Sequence, residues 1–188
     1  MNTLTYRHRA GSRRRGITMI EVSLGMIVLL VAVGGVLGSV SSFVLLGDAA
    51  REKHLAYMAA QQQLEAMNGE VFAEIFARFN EAPGDDPIDP DPIPGAGFDV
   101  LGLEPIAGDA DGLPGRILFP LAISTDAILR EDFVDADLGM PRDLNADGAI
   151  DALDHASDYL LLPVTVRVEW RGASGNQVVE LSTTLRND

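Results

Sequence analysis

The distribution of apolar positions changes character four times along the chain. From Ile17 to Leu46 the sequence reads ITMIEVSLGMIVLLVAVGGVLGSVSSFVLL, with Glu21 as its only charge. The 25 uncharged residues after Glu21 exceed the roughly 20 that a helix needs to cross a bilayer's hydrocarbon core. Residues 47–80 carry no proline, and Leu55, Met58, Met67, Val71, Ile75 and Phe79 recur at helical spacing. Phe72 and Phe76 widen that stripe, and charged residues such as Glu52 and Glu65 fall on or beside the opposite face. The pattern predicts a continuous helix from Ile17 to Phe79, apolar all round in its first half and amphipathic in its second. Gly34, Gly35 and Gly38 would soften it without removing a backbone donor.

Helical spacing stops at residue 81. Between Glu81 and Gly97 stand five prolines, three glycines and four aspartates, which reads as irregular, solvated connector. Phe98 to Leu113 continues as loop with short apolar anchors, and strand character returns at Ile117, Phe119 and Leu121. Near the C-terminus Val164, Val166, Val168 and Trp170 alternate with Thr165, Arg167 and Glu169, the period of a half-buried strand. A six-residue connection, RGASGN, leads to a second strand in which Val179, Leu181, Thr183 and Leu185 share a face. The fold class expected is therefore α+β: a long N-terminal helix packed on a small C-terminal antiparallel sheet with long irregular loops. Its divisions are a leader at 1–16, a transmembrane helix at 17–46, an amphipathic extramembrane helix at 47–80, and a loop and sheet region at 81–188.

Charge sharpens this picture. The 188 residues carry 14 basic and 28 acidic side chains, a net charge of −14. Arg7, Arg9, Arg13, Arg14 and Arg15 all lie in the first sixteen residues, which hold no acid. That excess before the apolar run predicts a single-pass topology with the N-terminus in the cytoplasm and residues 47–188 outside. The acidic body has no electrostatic footprint for nucleic acid. Absence of cysteine excludes disulfides and thiolate metal sites. His8, His54 and His155 are too scattered to suggest a histidine-rich zinc site.

The junction Arg13-Arg14-Arg15-Gly16-Ile17-Thr18-Met19-Ile20-Glu21 closely resembles the type IV prepilin signature: a basic leader ending in glycine, an apolar run, and a glutamate at the fifth place after the glycine. The resemblance implies cleavage of the Gly16–Ile17 bond by a prepilin peptidase and methylation of Ile17. The family most often has Phe at the first mature position, so Ile17 departs from it while remaining apolar. The resemblance also implies that Glu21 meets the N-terminal amine of a neighbouring subunit during assembly, a pairing that would neutralise a costly intramembrane carboxylate. A cleaved signal peptide ending near Ser39-Val40-Ser41 and a plain signal anchor are the alternatives.

One loop has metal-binding spacing. In Asp143-Leu144-Asn145-Ala146-Asp147-Gly148-Ala149-Ile150-Asp151-Ala152-Leu153-Asp154, oxygen-bearing side chains occupy places one, three, five, nine and twelve of a twelve-residue calcium loop. Ala149 would supply its carbonyl from place seven, and Gly148 permits the sharp turn at place six. Asp154 replaces the usual glutamate, as in dockerin-type loops. An Asp/Asn/Gly turn without an ion is the alternative. Gly108–Gly112 is a weaker echo, expected to be a turn unless Asp109 or Asp111 lends an oxygen. No nucleophile elbow, phosphate-cradling glycine loop or Ser/His/Asp arrangement marks an enzyme, and the acid pairs Asp85-Asp86 and Glu131-Asp132 read as solvated surface.

Residues 98–188 look, more loosely, like a type II secretion pseudopilin. That resemblance implies an inner-membrane protein with a periplasmic C-terminal region, other pilin-like subunits and an inner-membrane assembly platform as partners, a role in protein secretion, and calcium as a structural cofactor. A minor pilin of an adhesion or DNA-uptake type IV pilus, and a signal-anchored calcium-binding module, remain alternatives.

Overall fold

The computed structural model describes residues 16–87, 94–121, 127–173 and 175–187. The arginine-rich leader up to Arg15, and part of the proline-rich connector, lie outside the described residues. The chain divides into two units, Met1–Val44 and Leu45–Asp188.

In the first unit, helix α1 (Met19–Asn68) begins directly after Thr18, whose carbonyl accepts hydrogen bonds from the amides of Glu21 and Val22 (3.0 and 3.2 Å). Ser23, Ser39 and Ser42 donate their hydroxyls to the carbonyls of Met19, Gly35 and Gly38 at 3.0–3.1 Å, so these polar groups are satisfied within the helix. Every described side chain from Ile17 to Leu46 is exposed. An apolar surface of this extent belongs against lipid or another chain. The helix is long and apolar enough to cross a membrane.

In the second unit the remainder of α1 turns one face inward. Ala56, Ala60 and Met67 are fully buried and belong to the same core cluster as the inward residues of the sheet. The predicted helix is then interrupted. At Gly69 and Glu70 the amides bond back to Glu65, Ala66 and Met67, and Val71 adopts an extended conformation (φ −66°, ψ 118°). Helix α2 (Phe72–Phe79) follows and buries Ile75, Phe76, Arg78 and Phe79. The i, i+4 series Met67–Val71–Ile75–Phe79 runs through the break in phase, so apolar spacing alone did not reveal it.

Four strands, β1 (Gly97–Phe98), β2 (Gly115–Leu118), β3 (Leu161–Gly172) and β4 (Gly175–Arg186), form one antiparallel sheet in that order. The fold is α+β. Leu162, Val164, Val166, Val168 and Trp170 of β3 are at most 2% exposed and belong to the same core as α2 and the buried turns of α1. Pro163 and Thr165, which point the other way, are buried as well, so this half of β3 is covered on both faces. Pro163 lies beyond the stretch that β2 pairs (Thr165–Val168), where a missing amide breaks no ladder bond to β2. The hairpin is tighter than the expected six-residue connection. Pairing runs on to Gly172↔Gly175, and Gly175 takes a positive φ of 105° to reverse the chain.

Between β2 and β3 the chain is irregular but anchored. Leu129, Leu138, Met140 and Leu144 are buried, and the carbonyl of Leu144 accepts both Leu160 and Leu161 amides (2.7 and 2.9 Å). Tyr159 secures α2: its hydroxyl donates to the Phe72 carbonyl (2.6 Å) and accepts from the Phe76 amide (3.3 Å), bridging the first turn of the helix.

Candidate functional site

The candidate residues fall in two places, one in each unit. In the first, Gly16 and Ile17 are exposed residues ahead of α1, and Ile17 presents 76% of its surface. Their linking peptide bond is accessible, with no atom near the position a side chain on Gly16 would take. Glu21 lies in the first turn of α1, exposed, where a negative charge favours the helix's positive end.

In the second unit the 143–154 loop is curled by its own side chains. Asp143 accepts the amides of Ala146 (2.6 Å) and Gly148 (2.8 Å) on separate oxygens. Asn145, Asp147, Asp151 and Asp154 each accept the amide two residues ahead, at 2.7–3.0 Å. These successive Asx turns explain why Asp and Asn recur at such spacing. Ala146 (φ 63°) and Gly148 (φ 89°) take the left-handed conformations that the curl requires. Asp154 also receives the Leu129 amide (3.1 Å), fastening the end of the loop to the segment beneath it.

That segment, 129–132, was not legible as part of the site. Its backbone runs beside the loop: His155 donates to the Leu129 carbonyl (2.8 Å), Asp132 to the Asp151 carbonyl (3.1 Å), and Arg142 to the Glu131 carbonyl (3.1 Å). Contrary to the expectation of a solvated acid pair, Glu131 is 1% exposed. One of its oxygens accepts the amides of Leu144 (2.6 Å) and Asn145 (3.3 Å), and the other faces the Asp151 amide (3.4 Å). Asp132 does lie at the surface, in an ion pair with Arg130.

His155 is 4% exposed and stands between three carboxylates: Asp151 (3.2 Å), Asp158 (3.1 Å) and Glu131 (3.9 Å). Burial, the largest single influence, opposes its charged form, but the hydrogen bonds to Asp151 and Asp158 and the Glu131 charge outweigh it and raise its pKa. Asp151 is correspondingly held below the usual carboxylate value by the Leu153 amide and by His155. Ligand atoms of Glu131, Asp151 and His155 lie within 4.8 Å of one another. Both nitrogens of the imidazole, however, already face carboxylates.

By chemical type the loop's donors are those a hard divalent cation prefers. Among the described residues, however, the carboxylates of Asp143, Asp147, Asp151 and Asp154 form no convergent group of three; only Asp151 of that set stands in one, with Glu131 and His155. Asp143, Asn145, Asp147, Asp151 and Asp154 offer side-chain oxygens and Ala149 a carbonyl, with no sulfur or nitrogen among them. Asp111 of the weaker echo is committed elsewhere, to the Leu113 amide (2.9 Å) and to Arg116 (2.7 Å). It acts as a turn residue. Set against known proteins, the chain matches no family model, no curated protein and no solved structure.

Proposed function

We propose that this chain is a structural subunit of a type IV pilus-like filament, closest in character to a pseudopilin of a type II secretion system. The observation that carries the reading is the N-terminal segment. A basic leader ends at an accessible Gly16–Ile17 bond, a single carboxylate follows at Glu21, and a wholly exposed apolar helix continues into the core of an α+β unit. Such a helix gains by leaving water for lipid and then for the apolar flanks of identical helices. Glu21 would offer a neighbouring subunit's new N-terminal amine an opposite charge in a low-dielectric setting, setting the axial register between copies. In this reading the protein sits in the inner membrane with its second unit in the periplasm, is cut by prepilin peptidase, methylated at Ile17, and passed through an assembly platform into the filament.

The 143–154 loop gives the second unit a calcium-binding role. Asp143, Asn145, Asp147, Ala149, Asp151 and Asp154 would hold the ion. When bound, it would offset the mutual repulsion of the loop's acids and couple ordering of the region to a calcium-containing compartment.

Intact mass and N-terminal sequence of the membrane-extracted protein test the reading. A mature chain starting at Ile17 and heavier by one methyl group is expected. A chain that keeps its arginine leader would make this a signal-anchored module, and one beginning near Ser42 a secreted protein. Either overturns the filament reading.

A further inference from the structure

Glu131, Asp151 and His155 bring one ligand atom each within 4.8 Å of the others, the one such convergence among the described residues. Glu131 and His155 are shut off from water, at 1% and 4% exposure. With Asp158, three carboxylates surround one imidazole. Even a protonated ring would leave two negative charges unbalanced there. The neighbouring arginines do not balance them, since Arg130 is engaged by Asp132 and Arg142 by Thr184.

The ring is also oriented as a ligating histidine is. Nε2 lies 3.2 Å from Asp151 Oδ1 and 3.9 Å from Glu131 Oε2, while Nδ1 lies 3.1 Å from Asp158. A histidine that binds a metal through one nitrogen gives the other to a carboxylate or carbonyl, which fixes the ring. Glu131 divides its oxygens in the same way. Its Oε1 takes the amides of Leu144 and Asn145, whereas Oε2 has only the Asp151 amide at a long 3.4 Å and keeps a lone pair to offer. Oxygen and nitrogen ligands on a tetrahedral zinc, each about 2.0–2.2 Å from the metal, stand about 3.3 Å from one another. The separations here are close to that. Backbone bonds from Asp132 to the Asp151 carbonyl and from His155 to the Leu129 carbonyl hold the two contributing segments side by side.

We propose that Glu131 Oε2, Asp151 Oδ1 and His155 Nε2 form a binding site for a divalent cation of zinc's kind, with Asp158 orienting the imidazole. A nitrogen beside two carboxylate oxygens suits a first-row transition metal, whereas calcium takes oxygen alone. Asp151 is partly exposed, which leaves a fourth place open to water. The ion takes the place of the Nε2 proton, which passes to solvent. This site goes beyond the calcium reading and has only Asp151 in common with it.

The test titrates the full-length chain in detergent, stripped with EDTA and dialysed, with zinc chloride by calorimetry. The expected result is saturable binding of one ion per chain, its loss in His155→Gln, and an affinity weaker by about 10–100-fold in Asp158→Asn. Absence of zinc binding by the parent chain would overturn the site, and so would an unchanged affinity in His155→Gln. Neither result bears on the calcium reading, whose ion is titrated separately. A measurement on the unaltered protein decides the matter should His155→Gln fail to fold. In NMR spectra of the isotope-labelled imidazoles, zinc should move His155 Nε2 to the shift of a metal-bound nitrogen while Nδ1 keeps its proton. Zinc-induced shifts confined to His8 or His54 would overturn the assignment.

Discussion

The indole nitrogen of Trp170 donates a 3.0 Å hydrogen bond to the carboxylate of Glu52, joining β3 to α1 across 118 residues of sequence. Trp170 is 2% exposed, so its one donor has no recourse to water. The contact is close at Gly172, where a side chain would come within 2.7 Å of the same Glu52 oxygen.

Glu52→Ala should therefore strand a buried donor, at a cost of about 1–3 kcal/mol. For a chain of this size that is a fall in melting temperature of roughly 2–10 °C. Glu52→Gln, which keeps an acceptor, should lose much less. Thermal unfolding of the two variants in detergent checks the pair, and equal losses would contradict the hydrogen-bond account.

On the calcium reading proposed above, the ion should stabilise the second unit by mass action. At about one hundred times the dissociation constant the gain is about 2.7 kcal/mol, or roughly 5–10 °C in melting temperature. Asp143→Ala removes the first proposed ligand and also the acceptor of two loop amides, so on the calcium reading the calcium-induced shift should vanish. A persisting shift in that variant would place the ion elsewhere.

Histidine 155 predicts a pH dependence in calcium-free buffer. Its folded pKa is raised, so the stability it contributes is complete below the unfolded value near 6.5 and disappears as pH climbs through the higher folded value. Melting temperature should decline across that interval, and His155→Gln should remove the decline. Asp151 works in the opposite sense. Its pKa is lowered, so its contribution is present above the unfolded value and lost on acidification through the folded one. A flat profile for the parent chain above pH 6.5 would mean that the imidazole gains nothing from its carboxylates.

Glu21→Ala should leave the melting of the second unit unchanged, because the residue belongs to the other unit. On the filament reading proposed above, incorporation into filaments, measured by shearing and quantifying the released subunit, should fall to background. Normal incorporation would contradict the charge-pairing account.

Much of the architecture can be read from periodicity. The uncharged run after Glu21 and the Val164–Trp170 alternation are local patterns, and local patterns survive into the fold. Interruptions are harder to read. Asn68-Gly69 breaks the helix while the apolar stripe continues through Val71 without a change of phase, so hydrophobic spacing was blind to the turn. Spacing found the loop at 143–154 because its geometry is written in consecutive residues. Nothing beside Glu131 in sequence distinguishes it from Asp132; what separates them is the fold, which sets a loop beginning twelve residues later against one and leaves the other at the surface. The two-residue strand β1 is shorter than any pattern could register.

The serines of the first unit alter how its surface should be weighed. Ser23, Ser39 and Ser42 look like polar interruptions in a greasy segment, yet each returns its proton to a carbonyl one turn back. A donor satisfied inside its own helix makes no demand on its surroundings. To lipid, or to another helix, these three residues present small and nearly inert knobs, and Ser39 and Ser42, beside Gly34, Gly35 and Gly38, thin that stretch of the helix. Close approach there would leave none of these hydroxyl protons without a partner, so the segment is less polar in use than its composition suggests.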